Sequence, residues 1–285
     1  MNMDLVALRI FKAVAEQGGV TKAAAALHRV QSNVTTRVKQ LEQRLGTRLF
    51  DRRGRRMVLS AEGKVLLEYA DRLLRLSSEA QAALKGRAPH GVLRIGALES
   101  TAATRLPPVL ARYHRDYPAV RLELVTSTTA ALAEKVRREE LEAAFIAEPF
   151  AAAGLQARHV FTEELVLITA RDHPRVSVPE DLAQRTLLAF TTGCAYRRRL
   201  EMWLGRSNVA AERVMEYGSY AAIIACVAAG AGVAVVPKSV LRATGMEAQV
   251  APHALPAKIA QAKTLLVWRR GHESSALDAL RKGLD

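Results

Sequence analysis

QSNVTTRVKQLEQRLGTRLFDR, residues 31–52, carries two different faces on one helical period. Val34, Val38, Leu41 and Leu45 recur every three or four residues and make a narrow apolar stripe. Ser32, Thr35, Thr36, Lys39 and Gln43 fall on the other side, a face of hydroxyls, amides and a cation without a carboxylate. Gly46 predicts the end of the helix. Such a helix docks its stripe into a small core and offers the polar face to something outside the chain.

The residues before it supply that core. Leu5, Leu8, Phe11 and Ala15 give a first helix an apolar face, and Gly18-Gly19 stops it. Thr21 is expected to cap a second, short helix, TKAAAALH, whose small side chains permit close helix packing, with RVQS as the turn. A short helix, a tight turn and a longer helix with a polar outer face form a helix-turn-helix. A helix about 10–12 Å across fits the DNA major groove, roughly 12 Å wide. The hydroxyls and amides of Gln31, Ser32, Asn33, Thr35 and Thr36 suit base edges or phosphates, and Arg37 and Lys39 suit phosphates, either being able to reach a guanine.

Charge supports a nucleic-acid partner. The 285 residues carry a net +14, with 42 Lys and Arg against 28 Asp and Glu. Of these, 10 basic and 2 acidic residues lie between positions 21 and 56, so more than half of the excess sits in a short stretch. LFDRRGRRMVLSAEG places Arg52, Arg53, Arg55 and Arg56 around Gly54, a hairpin tip, and predicts an arginine wing along the sugar-phosphate backbone or in the minor groove. From Ser60, its expected cap, to Lys85 the pattern is helical. Leu59, Leu66, Leu73 and Ala80 repeat every seven residues, with Tyr69, Leu76 and Ala83 offset by three. This seam predicts pairing with a second copy, so that two readers address two half-sites. Gly86 ends the helix and Pro89-His90-Gly91 marks a boundary.

Other classes are disfavoured. Two cysteines, Cys194 and Cys226, imply no disulfide framework. The apolar run 221–236 is short for a bilayer and broken by two glycines, so it reads as a buried helix leading into a buried strand. MNMDLVALRIFKAVAEQGG lacks the basic-then-apolar pattern of a secretory signal, and a cytoplasmic location without membrane contact is expected. His28, His90, His114, His159, His173, His253 and His272 show no metal-ligand spacing, and neither a nucleophile elbow nor a phosphate-binding glycine loop occurs. No enzyme activity and no cofactor are expected; an enzyme, or a solute receptor without a DNA role, is the alternative reading.

At this point the chain resembles the LysR-type transcriptional regulators. The likeness is carried by LRIFKAVAEQGGVTKAAAALH, by QSNVTTRVKQLEQRLGTRLFDR with its spacing of LE, LG, LF and Arg, and by LSAEGKVLLEYADRLL. The family pattern favours Ser and Ala near positions 34–36, and Val34, Thr35 and Thr36 depart from it. The resemblance implies an α+β two-part chain. A winged helix-turn-helix at 1–59 and a linker and dimerisation helix at 60–88 come first. An α/β two-lobed, periplasmic-binding-protein-like effector domain at 91–285 follows, with lobe I at 91–161 and 267–285 and lobe II at 162–266. It also implies promoter or operator DNA as partner, a small-molecule effector, dimers joined by the linker helix and a homotetramer.

After GVLRIGALES, strand-like segments (VLRIGA, VRLELVT, LEAAFIAE, LVLITA, TLLAF, RVMEY, GVAVVP, LLVWRR) alternate with helical ones, which predicts parallel α/β sheets, two rather than one. Ligands of open α/β sheets sit beyond the carboxyl ends of the strands. The loops there hold Glu99-Ser100-Thr101, Ser127-Thr128, Ala147-Glu148, Thr191-Thr192-Gly193 and Gly218-Ser219. Hydroxyls at helix starts ordinarily serve as caps. The resemblance implies that Ser100, Thr101, Ser127, Thr128, Glu148, Thr192 and Gly218 form the effector site. Helix N-termini there favour an anion, while Glu99 and Glu148 oppose a highly charged one, leaving a monocarboxylate, an amino compound or a neutral aromatic open. Cys194, in GCAYRRR, is expected to be a packed small residue; the alternative is a redox-sensing thiol made acidic by Arg197 to Arg199.

Overall fold

The computed structural model describes residues 3–53, 56–85, 89–182 and 185–284. The chain divides into two compact units, Met1–Arg87 and Ala88–Asp285.

The first unit runs α1 (Leu5–Gln17), α2 (Val20–Ala26), α3 (Gln31–Leu45), β1 (Phe50–Arg53), β2 (Arg56–Leu59) and α4 (Ala61–Lys85). The Asp4 carboxylate accepts from the Ala7 N–H at 2.7 Å and starts α1. Thr21 does not cap α2: the helix begins one residue ahead of it with Gly19 as N-cap, and Thr21 is exposed. Between α2 and α3 His28 adopts a left-handed conformation at φ 50, and the Arg29 N–H reaches back to the Ala24 carbonyl at 2.9 Å. This closes the turn tightly.

Val34, Val38 and Leu41 of α3 are buried with Leu8, Phe11 and Val14 of α1 and with Leu49 and Phe50. The Phe11 and Phe50 rings lie 5.3 Å apart. Glu42 turns inward from α3, accepting from the Leu49 and Phe50 N–H groups at 2.8 and 3.3 Å, and so ties the wing to the helix. Ser60 caps α4 as expected, accepting from the Gly63 N–H at 2.9 Å while donating to the Arg48 carbonyl at 2.8 Å. Position 63 tolerates no side chain, because an added Cβ would lie 2.1 Å from the Leu49 carbonyl oxygen. The heptad reading of α4 needs correction. Leu59 and Leu66 pack on the unit's own core, and the outward stripe is Val65, Tyr69, Leu73 and Leu76. Ala80 is exposed, and the Ala83 side chain is outside the described residues.

The second unit opens with β3 (Gly91–Ala97), α5 (Glu99–Thr104), α6 (Leu106–Asp116), β4 (Val120–Thr126), α7 (Thr129–Arg137) and β5 (Ala143–Ala147). The long β6 (Leu155–Ala170) leads to β7 (Thr186–Phe190), α8 (Ala195–Gly205), β8 (Arg213–Tyr217), α9 (Tyr220–Ala228), β9 (Ala234–Pro237) and α10 (Lys238–Ala243). The last elements are β10 (Val250–Ala254), α11 (Ala257–Ala260), β11 (Gln261–Arg269) and α12 (Ser275–Lys282).

Strand order in the large sheet is β10-β6-β11-β5-β3-β4, with β9 also on β6, while β7 and β8 form a two-stranded sheet. The expectation of parallel sheets holds for β3 with β4 and β5, and for β7 with β8. It fails for β6, β9, β10 and β11, which all pair antiparallel. The cause is β6. Its first part pairs with β11 as far as Glu164 and Gln261, and its second part pairs with β9 and β10, so one strand serves both lobes of this α/β unit.

Two apolar clusters hold it together. One lies between the sheet and helices α6 and α12, with Leu93, Ile95, Tyr113, Phe145, Trp268 and Leu280. The other runs from Leu132 and Ile146 into Ile168, Leu188, Ile224 and Val236.

His253 on β10 is a buried ring held neutral. Its Nδ1 accepts from the Val176 N–H at 3.1 Å, so Nε2 carries the proton and faces Thr169 Oγ1 at 2.9 Å. Burial foremost, then the charges of His173 and Arg175, lowers its pKa below the ordinary 6.5. An unfolded chain takes up this proton near pH 6.5, so the contribution is complete above that value and is lost as pH falls through it towards the folded-state pKa. The urea midpoint should therefore drop between about pH 7.5 and about pH 5.5, and His253→Asn should flatten the dependence.

Candidate nucleic-acid interface and effector site

On α3 the structure leaves Gln31, Ser32, Asn33, Thr36 and Lys39 exposed, while Thr35 and Arg37 are half-buried. Thr35 donates to the Gln31 carbonyl at 3.0 Å, a bond within the helix. Arg37 leans towards Asp4, whose carboxylate lies 3.8 Å from it and 3.6 Å from Arg44. Asp4 thus caps α1 and draws two cations of α3 to the same corner. Beside the exposed face a groove of about 750 Å³ runs between α3 and β1, lined by Gln31, Thr35, Lys39, Arg48 and Asp51. Arg52 and Arg53 lie on β1. Arg55, with Gly54, lies outside the described residues. Arg48, missed in the sequence, comes to this groove because Ser60 and Glu42 fix the peptide that follows it, Ser60 donating to the Arg48 carbonyl and Glu42 accepting from the Leu49 N–H.

The second site is buried. Ser100 and Thr101 begin α5 and are each 1% exposed. Their hydroxyls, those of Thr264 and Tyr196, and one oxygen of Glu99 are buried without a hydrogen-bond partner among the described residues. The Tyr196 hydroxyl lies near Ser100 and Thr264, which favour its ionised form, but complete burial wins and pushes its pKa up. Glu99 accepts from the Tyr220 N–H at the start of α9, and burial raises its pKa against that bond. Alongside, Arg105 donates to Glu163 at 2.5 Å and Ser239 donates to the other oxygen of the same carboxylate at 2.7 Å.

Of the remaining predicted residues, those of the Thr128 and Thr192 loops come together: the Ala130 N–H donates to the Gly193 carbonyl at 3.3 Å, and a Cβ added at Gly193 would lie 2.9 Å from the Thr128 hydroxyl. Thr128 caps α7 through the Ala131 N–H at 3.4 Å, and Ser127 is half-buried just before it. Thr192 donates to Glu216 at 3.2 Å and lines a second cavity of about 460 Å³ with Thr129, Phe150, Arg137, Arg197 and Arg198. Glu148 contributes its carbonyl, which accepts from Arg199 at 3.0 Å, and Gly218 is exposed ahead of α9. Cys194 is buried, with its sulfur 3.8 Å from the Tyr220 hydroxyl. Burial raises its pKa and outweighs the neighbouring Arg197, so the arginines do not make it an acidic thiol. Cys226 is partly buried against the core. Among the described residues no group of three or more His, Cys, Asp or Glu is placed to hold a metal, and no helix is long and apolar enough to cross a membrane.

A winged helix-turn-helix joined to a two-lobed α/β receptor defines a ligand-responsive DNA-binding regulator. Comparison with known proteins agrees in both halves. Residues 5–64 match the bacterial regulatory helix-turn-helix proteins of the lysR family, and residues 86–284 match the LysR substrate binding domain. The chain is 42% identical to YusT of Bacillus subtilis, an uncharacterised HTH-type transcriptional regulator, over 98% of this chain and 93% of that protein. It is 38% identical to the HTH-type transcriptional regulator GltR of the same organism, over 95% and 91%. The fold is similar to a full-length OxyR variant of Pseudomonas aeruginosa (TM-score 0.74, 24% identity, 100% of this chain and 95% of that one). It is also similar to CbnR solved with its target DNA (TM-score 0.72, 23% identity, 99% of each). The chain belongs to the LysR family: it is a DNA-binding transcription regulator with an effector-binding domain.

The Arg105 bracket has a measurable worth. Replacing Arg105 with Met strands the Glu163 carboxylate, whose side chain is 2% exposed. Because Arg105 itself is 38% exposed, the loss should be about 2 kcal/mol, below that of a fully buried pair. Urea denaturation should show it, and adding Glu163→Gln should recover part of it.

Proposed function

We propose that α3 reads operator DNA through Gln31, Ser32, Asn33, Thr35, Thr36, Arg37 and Lys39, with the wing arginines Arg52, Arg53 and Arg55 on the flanking backbone. The exposed stripe Val65, Tyr69, Leu73 and Leu76 pairs two copies through α4, and the dimers associate as a homotetramer. The effector binds where Ser100 and Thr101 meet Tyr196, Thr264 and Glu99. Ser127, Thr128, Glu148, Thr192 and Gly218 stand at its margin. The observation that carries the effector reading is this set of buried polar atoms without a hydrogen-bond partner among the described residues. Native interiors rarely leave such groups unmet, because each costs roughly 1–3 kcal/mol, and a bound molecule or water supplies what is missing.

The domain limits follow the sequence reading: 1–59 reader, 60–88 linker, 91–285 receptor. Lobe I takes 91–161 and 267–285, lobe II takes 162–266, and the long β6 is the crossing. Binding shifts the balance between lobe arrangements by as much as the effector's affinity differs between them. The protein returns its ligand unchanged rather than turning it over, and it works in the cytoplasm.

Fragments of DNA from around its own locus should bind in dilute salt. Thr36→Ala should then change which sequences are preferred, whereas Arg52→Ala should weaken all of them and reduce the salt slope by about one unit. Equal losses on specific and random DNA for Thr36→Ala would contradict its assignment. In a thermal-shift screen of small metabolites, a hit that also changes DNA affinity identifies the effector. Ser100→Ala should keep DNA binding and lose the response to that hit; an unchanged response removes the hydroxyl cluster from the site.

A further inference from the structure

Val30 sits where a fold alone would not place it. It is the N-cap of α3, in extended conformation at φ −76, ψ 138, and its side chain caps nothing. At 72% exposure it is the most exposed large apolar side chain among the described residues. It joins none of the apolar clusters of the chain. Helix N-caps favour Ser, Thr, Asn and Asp, which satisfy free N–H groups. A valine forgoes that bond and holds two methyl groups in water. Its neighbours Gln31, Ser32, Asn33, Thr36 and Lys39 form the exposed polar face.

The residue is also held firmly. The Val30 carbonyl accepts from the Asn33 and Val34 N–H groups at 3.1 and 3.3 Å, while the Arg29 N–H is fixed to Ala24. A rigid apolar tip at the leading end of a recognition helix enters the major groove with the first turn of that helix. There the C5-methyl of thymine is the apolar feature of the base edges.

We propose that Val30 is a specificity-determining residue that reads a thymine through its C5-methyl group. The inference rests on the DNA-reading role of α3 and adds a base identity to it. The neighbouring hydroxyls and amides read polar edges, whereas Val30 selects for a methyl group and against cytosine at one position of each half-site.

The full-length chain is used to select its binding motif from random duplexes. Each thymine of the motif is then replaced in turn by deoxyuridine, which removes the methyl group alone. One position per half-site should lose about fourfold in affinity, the worth of one buried methyl group. With Val30→Ser that penalty should vanish, and with Val30→Thr, which keeps one methyl group, part of it should persist. Circular dichroism of both variants confirms that α3 is intact. If no uracil position weakens wild-type binding, or if the penalty is the same in Val30→Ser, the proposal is wrong. Failure of the wild type to enrich any motif would sink the DNA-reading face itself, and the thymine contact with it.

Discussion

The reader half of the molecule depends on the docking of Val34, Val38 and Leu41 against α1 and the start of the wing. Burying an aliphatic side chain of this size contributes roughly 1.5–3 kcal/mol. Alone, a helix of 15 residues is marginal in water. Docking therefore does two things together: it makes the segment helical, and it fixes which side faces outward. A polar face with hydroxyls and amides can donate and accept, and without the docked stripe it would have no fixed direction. Glu42 extends the constraint. Its carboxylate accepts from the Leu49 and Phe50 N–H groups, so the same helix that carries the polar face also sets the wing.

The receptor half is built on the opposite principle. Around Ser100, Tyr196 and Thr264 its centre buries side-chain polar atoms that lack a hydrogen-bond partner among the described residues, beside a carboxylate that Arg105 and Ser239 bracket. Such an arrangement costs stability, and the apolar clusters on both sides of the sheet offset the loss. Tyr196 illustrates the point. Its ring is fully buried, and its hydroxyl lies close to those of Ser100 and Thr264.

Much of this is legible from residue spacing. The stripe on α3, the glycine stop at Gly46 and the Ser60 cap are local patterns, and each appears as read. What the sequence conceals is set by distance along the chain. Residues 155–164 have mixed polarity and do not read as a strand, yet they pair with β11 from Gln261 to Arg269, a partner about a hundred residues away. β10 contains Pro252 and lies at the sheet edge, where a missing N–H is tolerated. Thr21 has the chemistry of a cap but loses the position to Gly19. Cys194 has arginines on its own helix, but burial among distant groups decides its acidity.

The sequence by itself determined that the chain has a small basic helical reader, a long amphipathic helix and a larger α/β receptor, because helical and strand periods and charge are properties of neighbouring residues. Tertiary structure alone decided that Leu66 turns inward while Tyr69 and Leu76 stay out, and that Tyr196 and Thr264 meet Ser100. Those outcomes depend on which surfaces come together, and residues far apart in sequence leave no mark on one another until the chain has closed around them.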